Sequence, residues 1–164
     1  MNDIDSLEAL ASELGAALLA RQWLLVTAES CTGGWIAEAV TTISGSSAWY
    51  ERGFVTYSNE AKQEMLGVPG AIITTHGAVS RETTAAMARG ALAHSRAHLA
   101  VSVTGVAGPT GGSATKPVGT VWFGFACGVQ EVATHHQLFD GDRTSIRRQA
   151  VAFALRRLLQ LAAV

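Results

Sequence analysis

The sequence predicts a single α/β domain built on a mixed sheet with helices on both faces. Three observations carry this reading. β-rich apolar runs alternate with stretches of helical period, the last two runs are separated only by Cys127-Gly128-Val129-Gln130, and no linker-like segment breaks the alternation. At 164 residues the chain has the length of one domain, over 1–164, in which about two thirds or more of the unfolded surface leaves water on folding.

Each element follows from local pattern. Leu7, Leu10, Ala11, Leu14, Ala17 and Leu18 recur at spacings of three and four, the stripe of an amphipathic helix that starts after Asp5 or Ser6. Leu24 to Ala28 reads as a strand and Gly33 to Val40 as the following helix, so the residues between them form a strand-to-helix turn. Gly53 to Tyr57 reads as a second strand. Ser58 or Asn59 then caps a helix that carries Ala61, Lys62, Met65 and Leu66 and stops at Gly67 and Pro69. Ser80 caps a helix over Glu82 to His94, because a short hydroxyl accepts hydrogen bonds from the orphan N–H groups of a first turn. His98 to Val103 is a buried strand that opens into Thr104-Gly105. Val118 to Ala126 and Glu131 to Phe139 pair as an antiparallel hairpin. After Asp142 the last helix keeps Ile146, Ala150, Val151, Ala154, Leu155 and Leu158 on one stripe and leaves Arg147, Arg148, Arg156 and Arg157 mostly off it.

Composition narrows the function classes. Twelve basic against 13 acidic side chains leave a net charge of −1, without the basic excess that nucleic-acid binders carry. A hydrophobic share of 48% with only 15% charged residues excludes disorder, and the weakly charged surface this implies predicts self-association into a homo-oligomer. The 17 glycines follow no collagen or solenoid period. Cys31 and Cys127 are too few and too far apart for a disulfide framework or a zinc ribbon, and both are expected to be reduced. The start contains Asn2, Asp3 and Asp5 rather than a basic leader, and no apolar run approaches the roughly 18 residues of a spanning helix. The expectation is a soluble cytoplasmic protein with no membrane or nucleic-acid partner.

In open α/β sheets ligands bind beyond the carboxyl ends of the strands. Three loops there carry chemistry: Glu29 to Gly34, Tyr57 to Lys62, and Thr104 to Gly112. Their glycines and helix starts leave backbone N–H groups free for a phosphate or an oxyanion. The spacing of Gly105, Gly108 and Gly111 fits neither named phosphate fingerprint, so this loop reads either as an anion cradle or as a plain turn. Arg143 adds a cation at the last helix, or is simply solvated. Ser30 reads either as a nucleophile or as an ordinary cap serine, with Cys31 as its rival.

A histidine base has no donor, since His76, His94, His98, His135 and His136 all lie outside the three loops. Lysine remains. Lys62 and Lys116 are the only two, and Lys62 falls in the first turn of its helix, where the macrodipole and burial both disfavour the ammonium form. A neutral amine there would deprotonate Ser30, with Tyr57 either relaying a proton or filling a half-buried strand position. No group has metal-ligand spacing, and neither metal nor cofactor is expected.

These stretches, Ala28 to Gly34, Gly53 to Lys62, Thr104 to Gly112 and Lys116 to Val121, closely resemble the CinA C-terminal domain family. The resemblance covers essentially the whole chain. It implies a three-layer α/β/α sandwich around a mixed, mostly parallel sheet with one antiparallel hairpin. For function it implies hydrolysis of the carboxamide of nicotinamide mononucleotide to nicotinate mononucleotide and ammonia, a step of pyridine nucleotide salvage. By motif, Ser30 would be the nucleophile, Lys62 the general base and Tyr57 the assisting hydroxyl. Thr32, Gly33, Gly34, Asn59, Thr104, Gly105, Gly108, Gly111, Gly112 and Arg143 would bind the substrate. Among these, N–H groups near Thr32, Gly33 or Gly105 would hold the oxyanion. Larger relatives carry an additional N-terminal domain whose pyrophosphate-cleaving activity is not expected of this chain. A non-catalytic module that only binds a pyridine nucleotide is the alternative.

Overall fold

The computed structural model describes residues 3–163, and the side chains of 7–163. Met1, Asn2 and Val164, and the side chains of the acidic start, lie outside the described residues. The elements in chain order are α1 (Asp3–Arg21), β1 (Leu25–Glu29), α2 (Trp35–Thr41), a single 3-10 turn (Ser46–Ala48), β2 (Tyr50–Val55), α3 (Asn59–Leu66), α4 (Gly70–His76), α5 (Arg81–Ala93), β3 (Leu99–Gly105), β4 (Thr120–Cys127), β5 (Ala133–Leu138) and α6 (Arg143–Ala162).

One five-stranded sheet has the order β2-β1-β3-β4-β5. β1 pairs in parallel with β2 and β3, whereas β4 pairs antiparallel with both β3 and β5. By direction the sheet is mostly parallel, β4 alone running against the rest, and β4–β5 is the expected hairpin. Side-chain alternation divides the core into two layers. Leu25, Leu99, Val101 and Val103 enter the layer of α1, α2 and α6, while Val26, Ala28 and Ala100 meet Leu66, Ile73, Met87, Ala88 and Ala91 from α3, α4 and α5. The fold is a three-layer α/β/α sandwich. Among the described residues no helix is long and apolar enough to cross a membrane.

The caps set where helices begin. Ser58 accepts from the Ala61 N–H at 3.0 Å, Ser80 from Thr83 at 3.1 Å and Asp142 from Ser145 at 2.9 Å. Ser58, not Asn59, is therefore the cap of α3.

Several boundaries differ from the sequence expectation, and one helix was not expected. α1 starts at Asp3, earlier than the Asp5 or Ser6 start. β2 lies three residues earlier at its start than the expected Gly53 and ends at Val55, so Thr56 and Tyr57 leave the sheet. α4 escaped notice because it is a short helix with one buried residue, Ile73, and so presents no apolar stripe. α5 approaches the end of α3 at Gly90, where a Cβ would collide with the Leu66 carbonyl. That close approach seats the helix carrying Lys62 against the sheet.

Candidate active site

Ser30 directly follows β1, at the carboxyl end of the central parallel strands, with its N–H bonded to the Val103 carbonyl of β3 at 3.0 Å. Lys62 lies in the first turn of α3, and its Nζ is 3.2 Å from Ser30 Oγ. The same Nζ is 3.2 Å from the carbonyl oxygens of Thr56 and Tyr57. Lys62 is 1% exposed and Ser30 7% exposed. Among the described residues no carboxylate pairs with Lys62. Burial holds the amine below the usual lysine range, and Cys31 opposes this in part.

These two residues open into a cavity of about 220 Å³ also lined by Tyr57, Asn59, Thr104 and Arg143. Of the other expected binding residues, Gly105 lines it as well. Thr104 donates its hydroxyl to the Ala78 carbonyl at 2.8 Å, which ties the segment after α4 to the cavity wall.

The hydroxyl of Tyr57 is not part of the Ser30–Lys62 contact. Its ring is exposed, and its oxygen accepts from Arg143 Nη2 at 3.3 Å, while Nη1 of the same guanidinium donates to the Gly108 carbonyl at 2.7 Å. Cys31 lines the cavity, but burial pushes its thiol up to about 12, so it is protonated near neutral pH.

Several expected binding residues lie off the cavity. Thr32 is fully buried and gives its hydroxyl to Glu29 Oε1 at 2.6 Å. The Gly33 N–H is spent on the Ser30 carbonyl at 3.0 Å and is not free for an oxyanion. Gly33 and Gly34 instead serve the turn, with φ of 60° and 101°, a left-handed pair that side chains disfavour. Gly108 touches the site only through its carbonyl, and Gly111 and Gly112 are exposed outside the lining.

The start of α2, expected to receive a ligand's negative charge, is already occupied by the protein's own. The buried Glu29 carboxylate accepts from the N–H groups of Ile36 at 2.8 Å and Ala37 at 3.1 Å. From α6, Arg147 donates Nε to the Cys31 carbonyl at 3.0 Å and Nη2 to the Thr32 carbonyl at 3.1 Å. Sequence reading missed both residues. In the sequence Glu29 heads the Glu29 to Gly34 loop with nothing to mark its carboxylate as an anchor, and Arg147 stands mostly off the apolar stripe of the last helix; a glutamate followed three residues later by threonine at a helix start is the one available signal.

A larger groove of about 470 Å³ opens at the other end of the sheet, beside Trp23, His98 and Cys127. His98 Nδ1 accepts from the Leu24 N–H at 2.9 Å, and the described residues include no hydrogen bond between that ring and Cys127. No nucleophile–base pair is assembled there, so the smaller cavity is the candidate site.

Residues 7–162 match the sequence family described as CinA C-terminal domain. The chain belongs to the CinA C-terminal domain family. It is 56% identical over 151 residues to the nicotinamide-nucleotide amidohydrolase PncC of Escherichia coli strain K12, covering 92% of both chains. With the protein of that name from Pseudomonas putida it shares 53% identity over 158 residues, 96% of this chain and 98% of the relative. The crystal structure of the competence/damage inducible protein CihA from Agrobacterium tumefaciens superposes with a TM-score of 0.92 at 49% identity, over 98% and 96% of the two chains. In this CinA domain three of the four stretches that carry the family resemblance, 28–34, 53–62 and 104–112, contribute residues to the cavity at Ser30 and Lys62.

Proposed function

We propose that the protein hydrolyses the carboxamide of nicotinamide mononucleotide, a small-molecule nucleotide substrate, to nicotinate mononucleotide and ammonia, as a step of pyridine nucleotide salvage. The buried contact between Lys62 Nζ and Ser30 Oγ at 3.2 Å carries the reading. The names of the PncC relatives support the choice of substrate.

The geometry suits acyl transfer. A neutral Lys62 donates its two N–H bonds to the Thr56 and Tyr57 carbonyls, and its lone pair then faces the Ser30 hydroxyl. Ser30 Oγ attacks the amide carbon as its proton passes to Lys62. The resulting ammonium returns that proton to the departing nitrogen, the C–N bond breaks, ammonia leaves, and an acyl-serine remains. Water then gives a proton to Lys62 and its hydroxide to the acyl carbon, and the proton returns to Ser30 Oγ as nicotinate mononucleotide is released.

Asn59 and Thr104 line the wall left for the carboxamide or the ribose. Arg143 would take the phosphate at the mouth, where the Tyr57 hydroxyl meets the same guanidinium. Tyr57 thus assists from the rim.

Ammonia release from nicotinamide mononucleotide, measured beside free nicotinamide and the dinucleotide, tests the reading. Turnover of the mononucleotide is expected. Tight binding of the mononucleotide with no ammonia would overturn it in favour of a non-catalytic nucleotide-binding module.

A further inference from the structure

We infer that Glu29 and Arg147 are positioning residues that hold the turn Ser30–Gly33 at the distance from Lys62 that proton transfer requires. The inference rests on Ser30 acting as the nucleophile, as proposed above.

Glu29 is 1% exposed, and among the described residues it forms no ion pair. A buried carboxylate without a cation is unfavourable unless its oxygens are filled with hydrogen bonds. Three donors fill them: the Thr32 hydroxyl and the N–H groups of Ile36 and Ala37. The helix dipole of α2 adds to this stabilisation. Glu29 therefore joins the end of β1, the middle of the nucleophile turn and the start of α2 into one unit.

Arg147 grips the same turn from α6. Its planar fork spans two adjacent peptide carbonyls, those of Cys31 and Thr32, which a lysine ammonium cannot do with the same geometry. The guanidinium also lies 5.5 Å from the Trp35 ring centre. With the Ser30 carbonyl held by the Gly33 N–H, each of the first three carbonyls of the turn has a donor. Neither Glu29 nor Arg147 lines the cavity, so neither is placed to touch substrate.

Lys62 does not follow if this turn moves. Its Nζ is fixed by the Thr56 and Tyr57 carbonyls, and Thr56 is tied by its N–H to the main-chain carbonyl of Glu29 at the end of β1, at 2.8 Å, rather than to residues 30–33. At 3.2 Å, the Ser30–Lys62 separation already lies at the outer edge of the roughly 2.6–3.2 Å useful for proton transfer. Loosening the turn opens the gap, and a misplacement of about 1 Å costs on the order of a hundredfold in rate.

The test compares wild type with Arg147→Lys and Glu29→Gln in kcat, KM, thermal unfolding and the rate at which a fluorophosphonate labels Ser30. In Glu29→Gln the new amide places a donor against backbone donors, so one acceptor is lost without a change of volume. For both variants, kcat and the labelling rate should fall together by about tenfold to a hundredfold, with KM within about twofold, at a temperature where the chain is folded. If Glu29→Gln does not fold, Arg147→Lys decides. A lowered melting point with wild-type kcat and labelling rate would make the two residues merely structural and overturn the inference, as would a raised KM at unchanged kcat. Labelling does not depend on the substrate's identity. Wild-type labelling at Ser30 without turnover of the mononucleotide therefore overturns the proposed substrate while leaving the positioning role testable, whereas absence of labelling at Ser30 overturns both.

Discussion

Glu29 and Ser30 are neighbours in the chain but serve opposite layers of the sandwich: the Glu29 carboxylate caps α2, and the Ser30 hydroxyl meets Lys62 of α3. The alternation that divides the core in two thus also separates support from chemistry at the end of β1. One side of the turn is filled with fixed hydrogen bonds, and the other faces an amine and a cavity.

Ser30 and Cys31 are adjacent, and removing each should give opposite results. Ser30→Ala should lower kcat on the order of a thousandfold or more, with KM little changed, because it removes the attacking atom. Cys31→Ala should stay within about threefold of wild type, since a thiol held near 12 supplies almost no thiolate at neutral pH. Steady-state ammonia release measures both, and a Cys31→Ala variant as inactive as Ser30→Ala would move the nucleophile to sulfur.

The amine of Lys62 must be unprotonated to accept the serine proton. Because burial lowers its pKa, the rate should decline as pH falls through that value and level off above it. Lys62→Arg should be inactive at every pH, since a guanidinium stays protonated. A pH-independent rate would remove Lys62 from the role of base.

The same shift has a sign in stability. The unfolded chain binds a proton at Lys62 more tightly than the folded one, so the penalty is full below the depressed folded pKa and vanishes above the unfolded value. Relative to Lys62→Met, wild type should therefore gain stability as the pH rises from the depressed folded pKa toward the unfolded lysine value of about 10.4. Thermal melting of the two proteins across that range checks the slope, and parallel curves would contradict it.

Gly90 tests how the fold delivers the base. An added methyl collides with the Leu66 carbonyl, so Gly90→Ala must push α5 away from the end of α3. Overpacking of this kind costs about 1–3 kcal/mol or more. Urea unfolding should register that loss, and kcat should fall with it as the helix carrying Lys62 shifts. Unchanged stability would mean that the two helices yield at no cost.

Chelation separates amide hydrolysis from phosphate cleavage at the same cavity. Phosphate-cleaving chemistry commonly relies on a divalent ion, and the described residues contain no cluster of three or more potential metal ligands. Ammonia release should continue undiminished in excess chelator, and its loss would redirect the mechanism.

Much of the layer architecture was legible because periodicity is local. The β-rich run over Leu24 to Ala28 marked a buried strand, and the serine and aspartate caps marked where helices begin. α4 was not legible, since its single buried residue leaves no period to detect. At the site, Ser30 and Lys62 stood out by residue type and loop position, and the scarcity of lysine singled out the amine.

From sequence alone came the order of elements, the two-faced sheet and the three loops at its carboxyl end. Tertiary structure decided what those loops do for one another, because hydrogen-bond partners are chosen by packing across residues distant in the chain. Packing turned Arg147 from the last helix onto the Cys31 and Thr32 carbonyls, moved the Tyr57 hydroxyl to Arg143, and spent the N–H groups of α2 on Glu29. A periodic pattern records which face of an element is buried; it does not record which buried group it will meet.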